Sequence, residues 1–398
     1  MAEFSTRPGW EDTLPIPQDD GPEPVCAIAY TEEYVEVMDL FRAVLKANEM
    51  SHRAFMLTAE VVDMNPANYT AWEFRRRCLK ALKLDLQSEL QYTQEMAEDN
   101  PKNYQIWFHR RAVVELYGVP SKEMDFVNGI LTEDMKNYHA WSYRQWVLRT
   151  FGNTCKMWEP ELESINNMLK LDHYNNSAWN QRWFVVCFME LSPVSEEDSP
   201  PPFLPENIVQ REIDFALSWI EKDVTNESPW TYIRGLMRVR APNPAMTTFR
   251  EPPTDIGVEG NWRFSSFPGL VTKMIELRNG GGANSVPLLG LLLEAYESKL
   301  SAARVTSANE YTETLERARE ICDHLAAVDS IRRMYWARRK SSLMVEDTAN
   351  AAVAAVDGSM NANKEAIGKA SEENEKGASS SQKVRSGTSA AGHAPQGP

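Results

Sequence analysis

The chain has 398 residues, of which 42% are hydrophobic and 25% are charged. Its 57 acidic residues outnumber its 42 basic residues, so the formal net charge is −15. Proteins that bind the phosphate backbone of nucleic acid over a wide surface normally carry the opposite balance, so this function is excluded for the surface as a whole. A local basic pocket is still compatible with this charge.

The first 27 residues are acidic and rich in proline, and their apolar residues do not recur at a regular spacing. We therefore expect residues 1–27 to form a disordered leader. The sequence has no signal-peptide pattern at its start and no apolar run near the roughly 20 residues of a membrane span. Five scattered cysteines are typical of free thiols in a reducing compartment. Together these features predict a cytoplasmic protein.

The next part of the chain, residues 28–345, is expected to form the folded body, and an Asn-x-x-x-Trp pattern occurs five times in it. An Arg follows three residues after the Trp, or four in the last copy. The copies are Asn68–Arg76, Asn103–Arg111, Asn137–Gln145, Asn175–Trp183 and Asn226–Arg234. The first three tryptophans are 35 and 34 residues apart, a period typical of stacked helix pairs.

The residue types within each copy favour helices. Asn is a preferred N-cap, and the Trp and later leucines recur at helical spacing on one face. We expect the Trp to pack in the core and the Arg to stack on that ring or to tie neighbouring repeats together. No alternating pattern of useful length indicates a strand, so the prediction is an all-α solenoid of helical hairpins.

Beyond about residue 245 the repeat pattern fades. We interpret residues 241–262 as an irregular insertion and expect the helices after it to cap the solenoid. Those helices are predicted near 265–279, 287–300, 308–327 and 330–343. The last segment, residues 346–398, contains no aromatic residue and few large apolar residues, so we expect a disordered tail.

Functional residues are expected where the copies differ, because shared residues serve the shared structure. Copies two and three concentrate cations and hydrogen-bond donors at their helix starts. The residues concerned are Lys102, Tyr104, Gln105, His109, Arg110, Lys136, Tyr138 and His139. Helix N-termini attract anions through free amide groups and the helix dipole, so this pattern predicts a phosphate or carboxylate site. A face of solvated lysines is the alternative.

The sequence contains no motif for a nucleotide-binding loop, a catalytic nucleophile or a zinc site. It lacks the phosphate-binding and nucleophile motifs G-x-x-x-x-G-K-[ST], G-x-G-x-x-G and G-x-S-x-G. Cysteines, histidines and carboxylates do not cluster at the spacing of zinc ligands, so we expect this chain to hold no metal itself. By itself the chain does not resemble a complete enzyme.

Several segments resemble the alpha-subunit repeat of protein prenyltransferases, whose pattern is N-Y-x-x-W-x-x-R. They are Lys102–Arg111 (KNYQIWFHRR), Lys136–Trp146 (KNYHAWSYRQW), Asn175–Trp183 (NNSAWNQRW) and Asp329–Arg339 (DSIRRMYWARR). The resemblance covers residues 28–343 and is strongest to the alpha subunits shared by farnesyltransferase and type I geranylgeranyltransferase.

The resemblance implies a crescent-shaped, right-handed superhelix of hairpins that wraps a beta subunit in a heterodimer. Such a complex transfers a farnesyl or geranylgeranyl group from its diphosphate to the Cys of a C-terminal C-a-a-X motif, as found in small GTPases. The beta subunit would hold Zn²⁺ and set the choice of isoprenoid, whereas Mg²⁺ would neutralise the diphosphate.

The resemblance also assigns roles to residues in the two KNY segments. The expected catalytic donors to the departing diphosphate are Lys102 and Tyr104. The expected substrate-binding residues are Gln105, for the C-terminal carboxylate of the acceptor, and Asn137, Tyr138 and His139, near the diphosphate. The expected supporting residues are Arg110, Trp107 and Trp141.

Two other functions stay open on sequence grounds. The alpha subunit of Rab geranylgeranyltransferase shares these repeats, although it often carries extra domains. A non-catalytic helical-repeat scaffold could keep the repeats and bind a different partner.

Overall fold

The computed structural model of the chain describes residues 5–120, 122–191, 204–237 and 264–343. They divide into two compact units, the first made of the described residues up to 237 and the second of those from 264 onward. All regular secondary structure in the described residues is helical, so the all-α prediction is confirmed. No helix in these ranges is both long and apolar enough to cross a membrane. The predicted insertion at 241–262 and the predicted tail at 346–398 lie outside the described residues.

The first unit is a succession of helical hairpins. Its described helices are α1 (Glu32–Ala47), α2 (His52–Met64), α3 (Tyr69–Leu82), α4 (Leu86–Asp99), α5 (Tyr104–Tyr117), α6 (Glu123–Glu133), α7 (Tyr138–Phe151), α8 (Trp158–Leu171), α9 (Asn176–Leu191), α10 (Glu206–Ile220) and α11 (Glu227–Met237). From α2 onward they pack in consecutive pairs, and the second helices of successive pairs also contact one another in order. This is the solenoid that the 34-residue period predicts.

The second unit contains four longer helices among its described residues. They are α12 (Pro268–Leu277), α13 (Val286–Thr306), α14 (Ala308–Val328) and α15 (333–343). They fall close to the four helical stretches predicted there, and α13 packs along α14. A π-helical turn at Arg278–Gly282 separates α12 from α13, and Gly281 adopts a φ of 125°, which favours glycine.

The Asn and Trp of each copy fix the start of the second helix of each hairpin. As predicted, all five asparagines are N-caps, and each Oδ1 accepts a backbone N–H two or three residues later. All five tryptophans are buried, and each indole Nε1 donates to the carbonyl six residues earlier over 2.9–3.0 Å. Each Trp therefore ties its helix to the preceding turn while its ring fills the core.

The Arg of each of the first four copies joins its hairpin to the next one. Arg110 in α5 donates two hydrogen bonds of 2.7 and 2.8 Å to Glu123 at the start of α6. Tyr143 in α7 donates to the same carboxylate over 2.6 Å. The guanidinium of Arg110 also lies over the ring of Phe126, 3.8 Å from its centroid. The prediction that Arg ties neighbouring repeats is confirmed, and this stacked ring belongs to the next hairpin.

The same three-helix arrangement recurs at the other hairpin junctions. The corresponding groups are Arg75, Glu89 and His109; Arg144, Glu161 and Gln181; and Arg182, Glu212 and Tyr232. All of these side chains are buried. Burial alone raises the pKa of the Glu89 carboxyl, but hydrogen bonds from His109 and Arg75 outweigh it and lower that pKa below its usual value. The carboxylate is therefore ionised at neutral pH.

Part of the leader packs on the first helices, which departs from the expectation of disorder for residues 1–27. Trp10 is only 6% exposed and lies under the guanidinium of Arg53, 4.6 Å from its ring centroid. Arg7 pairs with Glu60, and Arg42 donates to the carbonyl of Ile16 over 2.7 Å. One aromatic anchor and a few polar contacts leave no periodic signal in the sequence, so residues 5–18 resembled a disordered segment.

We expect Glu123→Ala to lower the free energy of unfolding of the full chain by about 3–5 kcal/mol, because Arg110 stays buried without its counterion. Urea unfolding followed by circular dichroism measures the loss. Glu115→Ala is the matched control, since it breaks the half-exposed Arg111–Glu115 pair on α5. That control is expected to cost less than about 1 kcal/mol. Equal losses in the two variants would contradict the role given to the buried pair.

Candidate functional site

Lys102 lies in the turn between α4 and α5, just before the Asn103 cap. Its side chain is 79% exposed, and its Nζ lies 3.7 Å from Asp134 Oδ2 in the equivalent turn of the next hairpin. An exposed ion pair of this kind contributes at most about 1 kcal/mol, so the ammonium group can exchange Asp134 for another anion. The turn residues Asn100 to Asn103 line a shallow depression beside it.

Three aromatic side chains gather beside this turn. Tyr104 is the first residue of α5, and its ring meets that of His139 edge-to-face with centroids 4.2 Å apart. Tyr138 is the first residue of α7, with its ring centroid 5.4 Å from that of His139. Both tyrosines are 67% exposed. The structure therefore brings Lys102, Tyr104, Tyr138 and His139 together at adjacent helix starts.

His139 adds an uncharged polar ring to this cluster. Burial lowers the pKa of its imidazole below the usual 6.5, and a hydrogen bond with the Lys102 backbone acts in the opposite direction. The ring is therefore predominantly neutral at pH 7, where it can donate or accept a hydrogen bond. Positive charge at this edge comes from the Lys102 and Lys136 ammonium groups and from the amide groups that begin α5 and α7.

The other two expected substrate-binding residues differ in exposure. Gln105 is half-buried in the first turn of α5, and its backbone N–H donates to the Asn103 cap over 2.9 Å. Asn137 is only 2% exposed. Its Oδ1 accepts the Ala140 N–H over 3.0 Å, and its Nδ2 donates to the carbonyl of Pro101 over 3.2 Å. Both ends of the Asn137 carboxamide therefore bind other parts of the chain.

His109 and Arg110 do not join the exposed cluster, although the sequence pattern placed both among the anion-binding candidates. His109 is fully buried, with Nε2 2.6 Å from Glu89 Oε1, and Arg110 binds Glu123. Both residues lie beyond the first turn of α5, on the face that packs against neighbouring helices. Trp107 and Trp141 hold the turns before their helices, through the carbonyls of Pro101 and Met135.

Sequence reasoning missed the glutamates that accept these arginines. They are Glu89, Glu123, Glu161 and Glu212. The available signal was an acidic residue in the first half of the first helix of the second to fifth hairpins. Among the residues that the structure describes, no three or more His, Cys, Asp or Glu side chains gather as a candidate metal site.

Comparison with known families identifies the repeat unit. A family model described as "Protein prenyltransferase alpha subunit repeat" matches residues 51–82, 86–117, 120–151, 158–189 and 209–239. These five ranges correspond to the hairpins from α2–α3 to α10–α11. The matched unit is therefore one hairpin with its capped second helix.

Similarity to individual proteins extends along most of the chain. The "Protein farnesyltransferase/geranylgeranyltransferase type-1 subunit alpha" of Dictyostelium discoideum is 39% identical over 342 residues, covering 84% of this chain and 92% of that protein. The Pisum sativum protein of the same name is 39% identical over 352 residues, covering 85% and 94%. The solved structure of Candida albicans protein geranylgeranyltransferase-I complexed with GGPP is 26% identical, with a TM-score of 0.61, and covers 85% of this chain and 100% of that one. The chain belongs to the protein prenyltransferase alpha-subunit family.

Proposed function

We propose that this chain is the alpha subunit of a heterodimeric protein prenyltransferase. The complex transfers farnesyl or geranylgeranyl from its diphosphate to the Cys thiol of a C-terminal C-a-a-X motif. The exposed Lys102 turn carries the proposal, because it supplies a cation and two neighbouring tyrosines where the resemblance locates diphosphate binding. The similarity to proteins named as type-1 alpha subunits supports it over most of the chain.

Lys102 and Tyr104 are the proposed catalytic donors. During transfer the isoprenoid C–O bond breaks, the diphosphate leaves with the electron pair, and a C–S bond forms to the acceptor Cys. Negative charge grows on the diphosphate oxygens as the bond breaks, and a cation placed beside them stabilises the transition state more than the substrate. The exposed Tyr104 and Tyr138 hydroxyls and the neutral His139 ring then supply further hydrogen bonds at the same edge.

Gln105 is the proposed contact for the acceptor. Its side-chain amide can donate to the C-terminal carboxylate of the C-a-a-X peptide without adding charge. Because Gln105 directly follows Tyr104 in the first turn of α5, this contact would place the peptide end next to the diphosphate donors.

The metals of the proposed reaction belong to the partner and to the substrate. The proposal places Zn²⁺ on the beta subunit, as the resemblance implies. When bound, Zn²⁺ would keep the acceptor thiol deprotonated and Mg²⁺ would screen the diphosphate. This chain's part is to provide Lys102 and its neighbouring donors.

The two other functions predict different behaviour. A Rab-type alpha subunit would assemble with a beta subunit and transfer nothing to C-a-a-X peptides. A scaffold would have no transfer activity for Lys102 to affect. The relatives' names, farnesyltransferase/geranylgeranyltransferase type-1 subunit alpha, favour the proposed transferase over both alternatives.

We expect Lys102→Ala to lower the kcat of the heterodimer by about 10²-fold, the usual loss when one donor to a developing oxyanion is removed. Steady-state prenylation of a C-a-a-X peptide measures it. Lys102→Arg keeps the charge and should recover part of the rate. Lys80→Ala is the matched control, because it removes an exposed lysine in the last turn of α3. A Lys102→Ala rate within twofold of that control would contradict the catalytic role.

We expect Gln105→Ala to raise the KM for the acceptor peptide about tenfold with little change in kcat, because it removes a contact made in both the ground state and the transition state. Peptides with a free and an amidated C-terminus provide the test. Wild type should prefer the free carboxylate, and the variant should lose most of that preference. An unchanged preference in the variant would exclude Gln105 as the carboxylate contact.

A further inference from the structure

The turn that carries Lys102 is bound from two directions at a single carbonyl oxygen. Pro101 O accepts Trp107 Nε1 over 2.9 Å from its own hairpin and Asn137 Nδ2 over 3.2 Å from the next one. A carbonyl oxygen has two lone pairs, so these two donors use its full capacity. Trp107 and Asn137 are 5% and 2% exposed, so water has little access to compete for either bond.

The same double hydrogen bond occurs at the next two hairpins, and we call it the turn clamp. Met135 O accepts Trp141 Nε1 and Asn175 Nδ2 over 2.9 and 3.2 Å. His173 O accepts Trp179 Nε1 and Asn226 Nδ2, both over 2.9 Å. The residues that follow the clamped carbonyls are Lys102, Lys136 and Tyr174, which all occupy a position where the repeats differ and are all exposed. The turn clamp therefore fixes the same backbone carbonyl in three repeats, directly before a residue whose side chain differs between repeats.

The clamp acts directly on the backbone of Lys102. The carbonyl of Pro101 and the amide nitrogen of Lys102 belong to one planar peptide unit, so fixing the carbonyl direction fixes the plane from which Lys102 projects. The Lys102 side chain is 79% exposed, so few side-chain contacts restrain it, and the backbone fixes the point and direction from which it extends. His139, two residues after Asn137, adds a hydrogen bond with the Lys102 backbone from the same helix start.

We propose that Asn137 is a positioning residue for Lys102, acting through the carbonyl of Pro101. In this role Asn137 does not touch the substrate, which replaces the substrate-binding role that the resemblance implies. Its Nδ2 holds the peptide plane from which the Lys102 ammonium reaches the diphosphate. The catalytic part of this proposal rests on the proposed function, whereas the clamp itself is a property of this chain.

The test removes the clamp donor and keeps the helix cap. Asn137→Ser retains a capping oxygen but is too short to donate to Pro101. Asn226→Ser is the matched control, because it makes the same change at the His173 clamp, away from Lys102. In the heterodimer we expect Asn137→Ser to lower kcat about tenfold, given that a 1 Å misplacement can cost about 10²-fold. Asn226→Ser should stay within twofold of wild type.

A double-mutant cycle with Lys102→Ala separates positioning from general damage. If Asn137 acts through Lys102, Asn137→Ser has no further effect on kcat once Lys102 is alanine. Equal fold losses in the two backgrounds would overturn the proposal. Should Asn137→Ser fail to fold, Asn137→Asp takes its place in the cycle, since Asp is an equally good cap without the Nδ2 donor.

Hydrogen exchange of the heterodimer gives a second readout that does not need activity. Asn137→Ser should speed amide exchange in the Lys102 turn, and Asn226→Ser should do so in the Tyr174 turn only. Unchanged exchange at Lys102 would overturn the proposal. An inactive wild-type heterodimer would contradict the proposed function alone, and the exchange result would then decide the clamp.

Discussion

A buried carboxylate shared by three helices is the interaction on which the hairpin array depends. Glu123 accepts two hydrogen bonds from Arg110 of the preceding hairpin and one from Tyr143 of its own. Burying a charged pair is costly, and good bidentate geometry with a third donor offsets that cost. Because the geometry is strict, each junction fixes the register of one hairpin against the next. Because the buried Arg–Glu pair recurs at four junctions, the helix starts are regularly spaced.

The regular spacing is what brings the candidate site together. Lys102 and Asp134 belong to different hairpins, yet their charged groups lie 3.7 Å apart. The rings of Tyr104 and His139 are also in contact across two hairpins, since they lie at the starts of α5 and α7. Residues inside the helices maintain the stacking, and residues at the exposed starts are free to differ between copies. One repeat can therefore serve as a structural unit in five copies and carry the proposed donors in only two of them.

Much of the fold was predictable because its signals are periodic. The 34-residue period, the capping Asn and the buried Trp gave the hairpins and the starts of their second helices. Glu89, Glu123, Glu161 and Glu212 were not predictable, because they follow their arginines by 14, 13, 17 and 30 residues. Without a fixed spacing, a buried Glu looks like any acidic residue of a first helix. The packing of Trp10 against Arg53 was not predictable for a similar reason, since a single aromatic contact produces no periodic pattern in the sequence.

The site was only partly predictable. Adjacent repeats place their equivalent residues side by side, so the proximity of Lys102, Tyr104 and His139 followed from the period. The direction in which each side chain points did not follow from the period. His109 and Arg110 in fact face the interior. The second partner of Asn137 lies 36 residues away and is a backbone carbonyl, which no side-chain pattern reveals.

The most direct test of the account measures prenyl transfer to a C-a-a-X peptide in three samples: this chain alone, a matched beta subunit alone, and the two co-expressed. We expect transfer only in the co-expressed sample, because this chain would supply donors to the diphosphate and the partner would supply the metal that binds the acceptor thiol. Stable assembly without transfer to any C-a-a-X peptide would contradict it and favour a Rab-type enzyme. Failure to bind a prenyltransferase beta subunit would contradict it as well and favour a scaffold.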